Sequence, residues 1–171
     1  MLKCRCVHVS LKQKKWASAH FRKIARTPRR KQKPCGKDST VTPVPAAVND
    51  AVQTCLEGSG ASWSRVAEGE WGLAAQAAGW PLHVGLALRG GLLRAQAEVL
   101  GEAVADAAAV LHRNRRLVLV RFASSAAGAI WIQGELPASS AADAEEVDRL
   151  LGLLIAAADE LRAPYAARRR D

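Results

Sequence analysis

The sequence predicts an α+β fold: an antiparallel sheet of about five strands with helices packed on it, in the order α-β-β-β-α-β-β-α. Three observations carry this prediction. Two runs of alternating apolar and polar residues flank Gly90-Gly91, the pattern of a hairpin. A second pair of strand-like runs surrounds a short Gly128-containing turn. A long apolar stripe at helical spacing then runs from Val147 to Leu161. The segment that folds spans residues 46–165, with a basic arm over 1–45 and a basic tail over 166–171.

Ala46–Leu56 reads as the first helix, because Ala47, Val48, Ala51, Val52 and Cys55 share a face and Gly58-Ser59-Gly60 ends it. Trp63–Trp80 holds three tryptophans with Gly69 and Gly72 between, which predicts a first strand with a turn or bulge; a short helix over 72–78 also fits its alanines. Leu82, Val84, Leu86 and Leu88 alternate with His83, Gly85, Ala87 and Arg89, and Leu93, Ala95, Ala97 and Val99 return after the glycine turn.

Glu102–Arg113 reads as a helix stopped at Asn114, a residue that tolerates the left-handed conformation. Leu117–Ala123 is apolar on both faces at its start, as expected of a central strand. Ala129–Leu136 follows with Ile130, Ile132 and Leu136 on one face, and Pro137 closes it. In the last helix, Ser139 or Ser140 is the expected cap and Asp143, Glu145 and Glu146 suit its positive end. Val147, Leu150, Leu151, Leu154, Ile155, Ala158 and Leu161 form its stripe, and Pro164 is its expected end.

Charge divides the chain more sharply than hydrophobicity does. Residues 1–40 hold 13 Lys or Arg against one acid, net +12, whereas residues 41–171 hold 12 Arg against 15 acids, net −3. All eight lysines lie between Lys3 and Lys37. Two origins fit such an arm. It is a true basic tail, or it is an upstream stretch ahead of a start at Val41, Val44 or Val48. As a tail, Lys12, Lys14, Lys15, Arg22, Lys23, Arg29, Arg30 and Lys31 are the residues that would meet phosphates, with strong salt dependence and little sequence preference. A short basic helix over 11–24 would set Trp16 and Phe21 among them. The same Arg/Lys-rich, acid-poor composition is also that of an organelle transit peptide.

Cys4, Cys6, Cys35 and Cys55 make no disulfide framework, because three sit in the arm; a reducing cytoplasm is the expected location. No apolar run follows the basic start as a secretory signal requires, and no stretch of 18 apolar residues predicts a membrane span. Catalytic signatures are missing too. No phosphate-binding loop, GxGxxG or GxSxG motif occurs, and Cys4-x-Cys6-x-His8, with His20 and Cys35 beyond, lacks the spacing of structural zinc sites. The sequence therefore predicts no enzyme activity, no catalytic residue, no metal site and no cofactor. His83 falls on the polar side of a strand, and His112 suits a helix C-terminus. Trp63, Trp71, Trp80 and Trp131 are core candidates, except that Trp131 points away from Ile130 and Ile132 and stands on the other face, where an aromatic can anchor a partner.

Leu111-His112-Arg113-Asn114, the strand Leu117–Phe122, Ile130-Trp131-Ile132, Glu135-Leu136-Pro137 and the final helix through Ala157-Ala158-Asp159 together resemble the YbjN-like family, bacterial proteins with the fold of type III secretion chaperones. The resemblance covers about residues 46–165 and none of the arm. It implies a type III secretion chaperone-like fold, a homodimer and no enzyme activity. Its relatives hold client segments along their surfaces, so a client protein and a second copy are the implied partners, in a chaperone or adaptor role under stress. No membrane partner is expected. The alternative is an accessory role in nucleic-acid metabolism or the DNA-damage response, through the arm or through a client that handles DNA.

Overall fold

A computed structural model describes residues 45–102 and 105–167. The basic helix over 11–24, the eight phosphate-facing candidates of the arm, the Cys4–His8 cluster and the tail over 168–171 lie outside the described residues.

Helix α1, Ala46–Gly58, buries Val48, Ala51, Val52, Cys55 and Leu56, the i, i+3, i+4, i+7, i+8 face of its sequence. Ser59 closes it, its N–H donating to the Cys55 carbonyl at 3.0 Å. A four-strand meander follows: β1 (Ser62–Ala67), β2 (Glu70–Ala77), β3 (Trp80–Arg89) and β4 (Leu92–Leu100). Helix α2 (Ala107–His112) and a 3₁₀ turn (Arg113–Arg116) lead to β5 (Val120–Ser124), β6 (Ile130–Pro137) and helix α3 (Ala144–Ala167). The sheet is fully antiparallel, in the order β1-β2-β3-β4-β6-β5. Gly90 and Gly91 both take positive φ, 57° and 76°, as a two-residue hairpin turn requires.

Helices α1 and α3 pack together, and α3 lies across the sheet. The covered face presents Trp71, Leu82, Leu86, Leu93, Ile130 and Ile132, all fully buried. Val147, Leu150, Leu154 and Leu161 meet them from α3, and burying each is worth roughly 1.5–3 kcal/mol. No other described element buries as many apolar residues.

The α+β class and the antiparallel sheet are as expected, but several elements differ. The sheet has six strands, because Trp63–Trp80 forms two: β1 and β2 turn at Glu68-Gly69, with a bulge between Arg65 and Ala67. The order is thus α-β-β-β-β-α-β-β-α. Helix α2 starts only at Ala107, because the Asp106 carboxylate accepts the Ala108 N–H at 3.0 Å and caps it there. Asn114 is not a left-handed stop; it sits in the 3₁₀ turn and uses its side chain elsewhere. Leu117–Leu119 precedes the strand, and β5 lies at the sheet edge rather than its centre, leaving Val118 64% exposed. Asp143, not Ser139 or Ser140, meets the first turn of α3, accepting from the Glu145 N–H at 2.9 Å. Pro164 lies inside α3 rather than ending it; the carbonyl it leaves without a partner belongs to the exposed Glu160.

Candidate protein-binding face

Strand alternation gives the sheet a second face, and neither α1 nor α3 covers it. Strand register lays out its residues. Ser64, Gly72, Gly85, Gln96, Gln133 and Arg121 form one row across all six strands. On one side of this row stand Glu70, Ala87, Arg94 and Glu135; on the other stand Ala74, His83, Glu98, Trp131 and Ala123. The centre is made of small and amide side chains, and the charges are arranged around it.

Those charges are paired across strands. Glu135 on β6 accepts from Arg94 on β4, with Nε at 2.8 Å and Nη2 at 2.6 Å, and Arg121 on β5 approaches it at 3.7 Å. Arg89 and Glu70 pair between β3 and β2. Arg89, Arg94 and Arg121 equal Glu70, Glu98 and Glu135 in number, so the face carries no net formal charge, although Glu98 belongs to none of these pairs. The −3 of residues 41–171 resides elsewhere.

Trp131 is half-buried on this face, opposite Glu98 on β4 and Ala123 on β5, while its neighbours Ile130 and Ile132 are wholly buried on the other side. The other three tryptophans of the fold serve the core: Trp71 is fully buried, and Trp63 and Trp80 pack against the core cluster. Gly72 and Gly85 face each other in register on β2 and β3, three and two strands away from Trp131. Neither has a positive φ. A Cβ on Gly72 would meet Val66 Cγ2 at 3.7 Å and Ser64 Oγ at 3.8 Å, ordinary contact distances. The fold itself therefore accepts a side chain there.

Below the ends of β3 and β4 lies a feature the sequence reading missed. Arg162 of α3 is buried, and its guanidinium donates to the carbonyls of Val99 at 2.7 Å, Pro81 at 3.1 Å, Glu98 at 3.2 Å and Trp80 at 3.4 Å. It also lies 5.7 Å from the Trp80 ring centroid. Burial lowers its pKa, and Glu98 acts in the opposite direction. Its signal in the sequence was spacing, four residues after Ala158 on the apolar stripe. This is an anchor for strand ends.

Two further titratable groups among the described residues have identifiable surroundings. Cys55 is buried between α1 and the rest of the core; burial, with Asp148 nearby, raises its thiol to about 11, so it holds its proton and is a poor nucleophile. His112 lies beside Arg115 Nη1 at 3.2 Å at the end of α2. Among the described residues, no group of three His, Cys, Asp or Glu side chains is placed to hold a metal ion. No described helix is long and apolar enough to cross a membrane. No protein-family model and no curated protein matches the chain.

Proposed function

We propose that this protein is a non-enzymatic binding protein, a cytoplasmic homodimeric chaperone or adaptor that acts on a client protein, as its resemblance to the YbjN-like family implies. One observation carries the reading. Among the described residues, helices pack on one side of a six-stranded sheet, and the other side is neutral in formal charge, small-residue-rich and marked by a single large aromatic. Such a surface suits contact with another folded chain, where an aromatic anchor supplies much of the affinity. It does not suit nucleic acid, which is drawn to concentrated positive charge. Any phosphate binding by this protein belongs to the arm.

The test is crosslinking of the native full chain, followed by mass spectrometry of the conjugates. The expected result is a recurrent protein partner, with crosslinks on the domain, that is lost when Trp131 is replaced by Ala. Crosslinks confined to residues 1–40, or DNA binding at physiological salt that survives deletion of those residues, would refute the reading.

A further inference from the structure

The corner where α2 packs against the edge strand β5 joins positive charge to exposed apolar surface. We infer that it docks an acidic, aliphatic segment of another protein, whose carboxylates meet Arg113, Arg115 and Arg116 while its apolar side chains cover Val118 and Leu119. This site goes beyond the reading of the sheet face and does not rest on Trp131.

The backbone makes the corner a fixed projection. Asn114 donates to the Phe122 carbonyl at 3.0 Å and accepts the Phe122 N–H at 2.7 Å, so residues 115–121 form a loop tied at its base. Leu117 packs against the core and Val120 is buried, whereas Val118 is 64% exposed and Leu119 36%. A regular strand would send Val118 and Val120 to the same side. The alternation breaks at Leu119, whose φ of 63° is a left-handed conformation that costs a bulky residue free energy. Packing holds it there, since a Cβ on Gly134 of β6 would stand 2.9 Å from the Leu119 carbonyl. Strain held in place by its surroundings clusters at ligand-binding sites. Here its product is two adjacent aliphatic side chains turned outward. With Leu111 on α2, this stretch of chain holds three of the five exposed large hydrophobic residues among those described.

Charge names the chemistry of the partner. Residues 107–134 hold four Arg and no acid, whereas the rest of residues 41–171 holds eight Arg against 15 acids. Arg121 approaches Glu135 at 3.7 Å, but Arg113, Arg115 and Arg116 are exposed and pair with no described carboxylate. Arg115 instead donates to His112 Nε2 at 3.2 Å. Guanidinium groups so placed suit carboxylates, which they can bind in bidentate fashion.

Other occupants fit only part of this corner. The arm, at +12, is repelled by it. Nucleic-acid phosphates would meet the arginines and leave Val118 and Leu119 uncovered. A membrane surface is met by a broad amphipathic face, and two side chains make a small wedge beside that. A segment bearing both acidic and aliphatic residues covers the whole corner. Asn114 already occupies the Phe122 backbone, so the contact is made by side chains rather than by strand pairing.

Fluorescence anisotropy of a labelled peptide rich in Glu and Leu, added to the full chain at about 150 mM salt, tests the site. The expected result is saturable binding whose Kd rises at least about tenfold on combined Arg115→Glu and Arg116→Glu substitution. Val118→Ser should raise it about fivefold. Leu119→Gly should also raise it, while the urea midpoint stays level or increases, a split that a merely structural role of Leu119 would not give. Absence of binding overturns the proposal, as does binding that none of these substitutions moves, which would place the peptide on the arm. Equal binding of a peptide with Gln in place of Glu overturns it too. Tighter binding of phosphatidylserine vesicles that depends on Val118, or of duplex DNA that depends on Arg115 and Arg116, would reassign the corner to a membrane or to nucleic acid. A protein that ignores the peptide yet keeps a Trp131-dependent crosslinked partner overturns this site and leaves the sheet-face reading standing.

Discussion

Replacing Arg162 with Met keeps the length and packing of the side chain and removes every donor from the guanidinium site. Four backbone carbonyls then lose their partner: Val99, Glu98, Pro81 and Trp80. The site is already irregular, because the β4–β6 register shifts between Glu98 and Leu100, so the Val99 carbonyl lies at a break in the ladder. An unsatisfied buried polar group costs roughly 1–3 kcal/mol. Water can reach Pro81, which is exposed, and the bond to Trp80 is the longest of the four at 3.4 Å, so the cost falls mainly on Glu98 and Val99. Taking about 1.5 kcal/mol for each of these two gives a loss of about 3 kcal/mol. Relief of the desolvated charge trims this figure, and loss of the contact with the Trp80 ring adds to it.

Urea unfolding, followed by far-UV circular dichroism at one fixed protein concentration, reads the change directly. With a slope of about 1.5 kcal/mol per molar urea, the midpoint should fall by about 2 M. Arg162→Lys keeps the charge and reaches fewer carbonyls, so about half of that fall is expected. A Met variant whose midpoint stays within about 0.3 M of wild type would show that water satisfies these strand ends, and the anchoring role would be wrong.

Three further outcomes follow from single positions. The Cys55 thiol holds its proton more tightly when folded, so its contribution is complete below the ordinary thiol range and is lost as pH rises toward about 11. Cys55→Ala should flatten the alkaline decline in stability measured between those limits, and native Cys55 should resist alkylation until urea exposes it. Gly134→Ala places a methyl 2.6 Å from Leu150 Cδ1 and 2.9 Å from both the Leu119 carbonyl and Val120 Cγ1, so a loss of about 2–3 kcal/mol in denaturant titration is expected. Ala78 holds φ 53° in the β2–β3 turn, where its N–H donates to the Asp159 carboxylate; Ala78→Asn should raise the thermal midpoint, by about 0.5–1 kcal/mol in stability.

The parts of the fold that could be read in sequence are those where local pattern and global burial agree. The β3–β4 hairpin and the α3 stripe repeat a clear period over many residues, and Gly90-Gly91 is chemically matched to its turn. The errors arose where one short signal had two uses. Asn114 resembles a helix stop, yet its amide is spent on the Phe122 backbone, donating to the carbonyl at 3.0 Å and accepting the N–H at 2.7 Å. Leu117–Leu119 is as apolar as a central strand but lies in the approach to an edge strand, a fact set by long-range strand order rather than by composition. The same limit applied to the open face. Alternation alone put Trp131 opposite Ile130 and Ile132, whereas the alignment of Gly72 with Gly85 depends on how β2 registers against β3.

The two sheet edges also bear on how this protein meets another chain. An edge strand is a template for pairing, and proteins blunt it with bulges, charge or a covering group. On β5 the covering group is Asn114, which occupies both backbone positions of Phe122 as a neighbouring strand would. On β1 the bulge between Arg65 and Ala67 interrupts the register, and Arg65 puts a charge at the break. A partner strand added at either edge would meet an occupied or broken ladder. The face has no such obstruction among the described residues: its three arginines are paired with Glu70 and Glu135, its centre is made of small and amide side chains, and Trp131 stands on the side away from Ile130 and Ile132. Association across the face, not along an edge, is therefore the mode that this sheet leaves open.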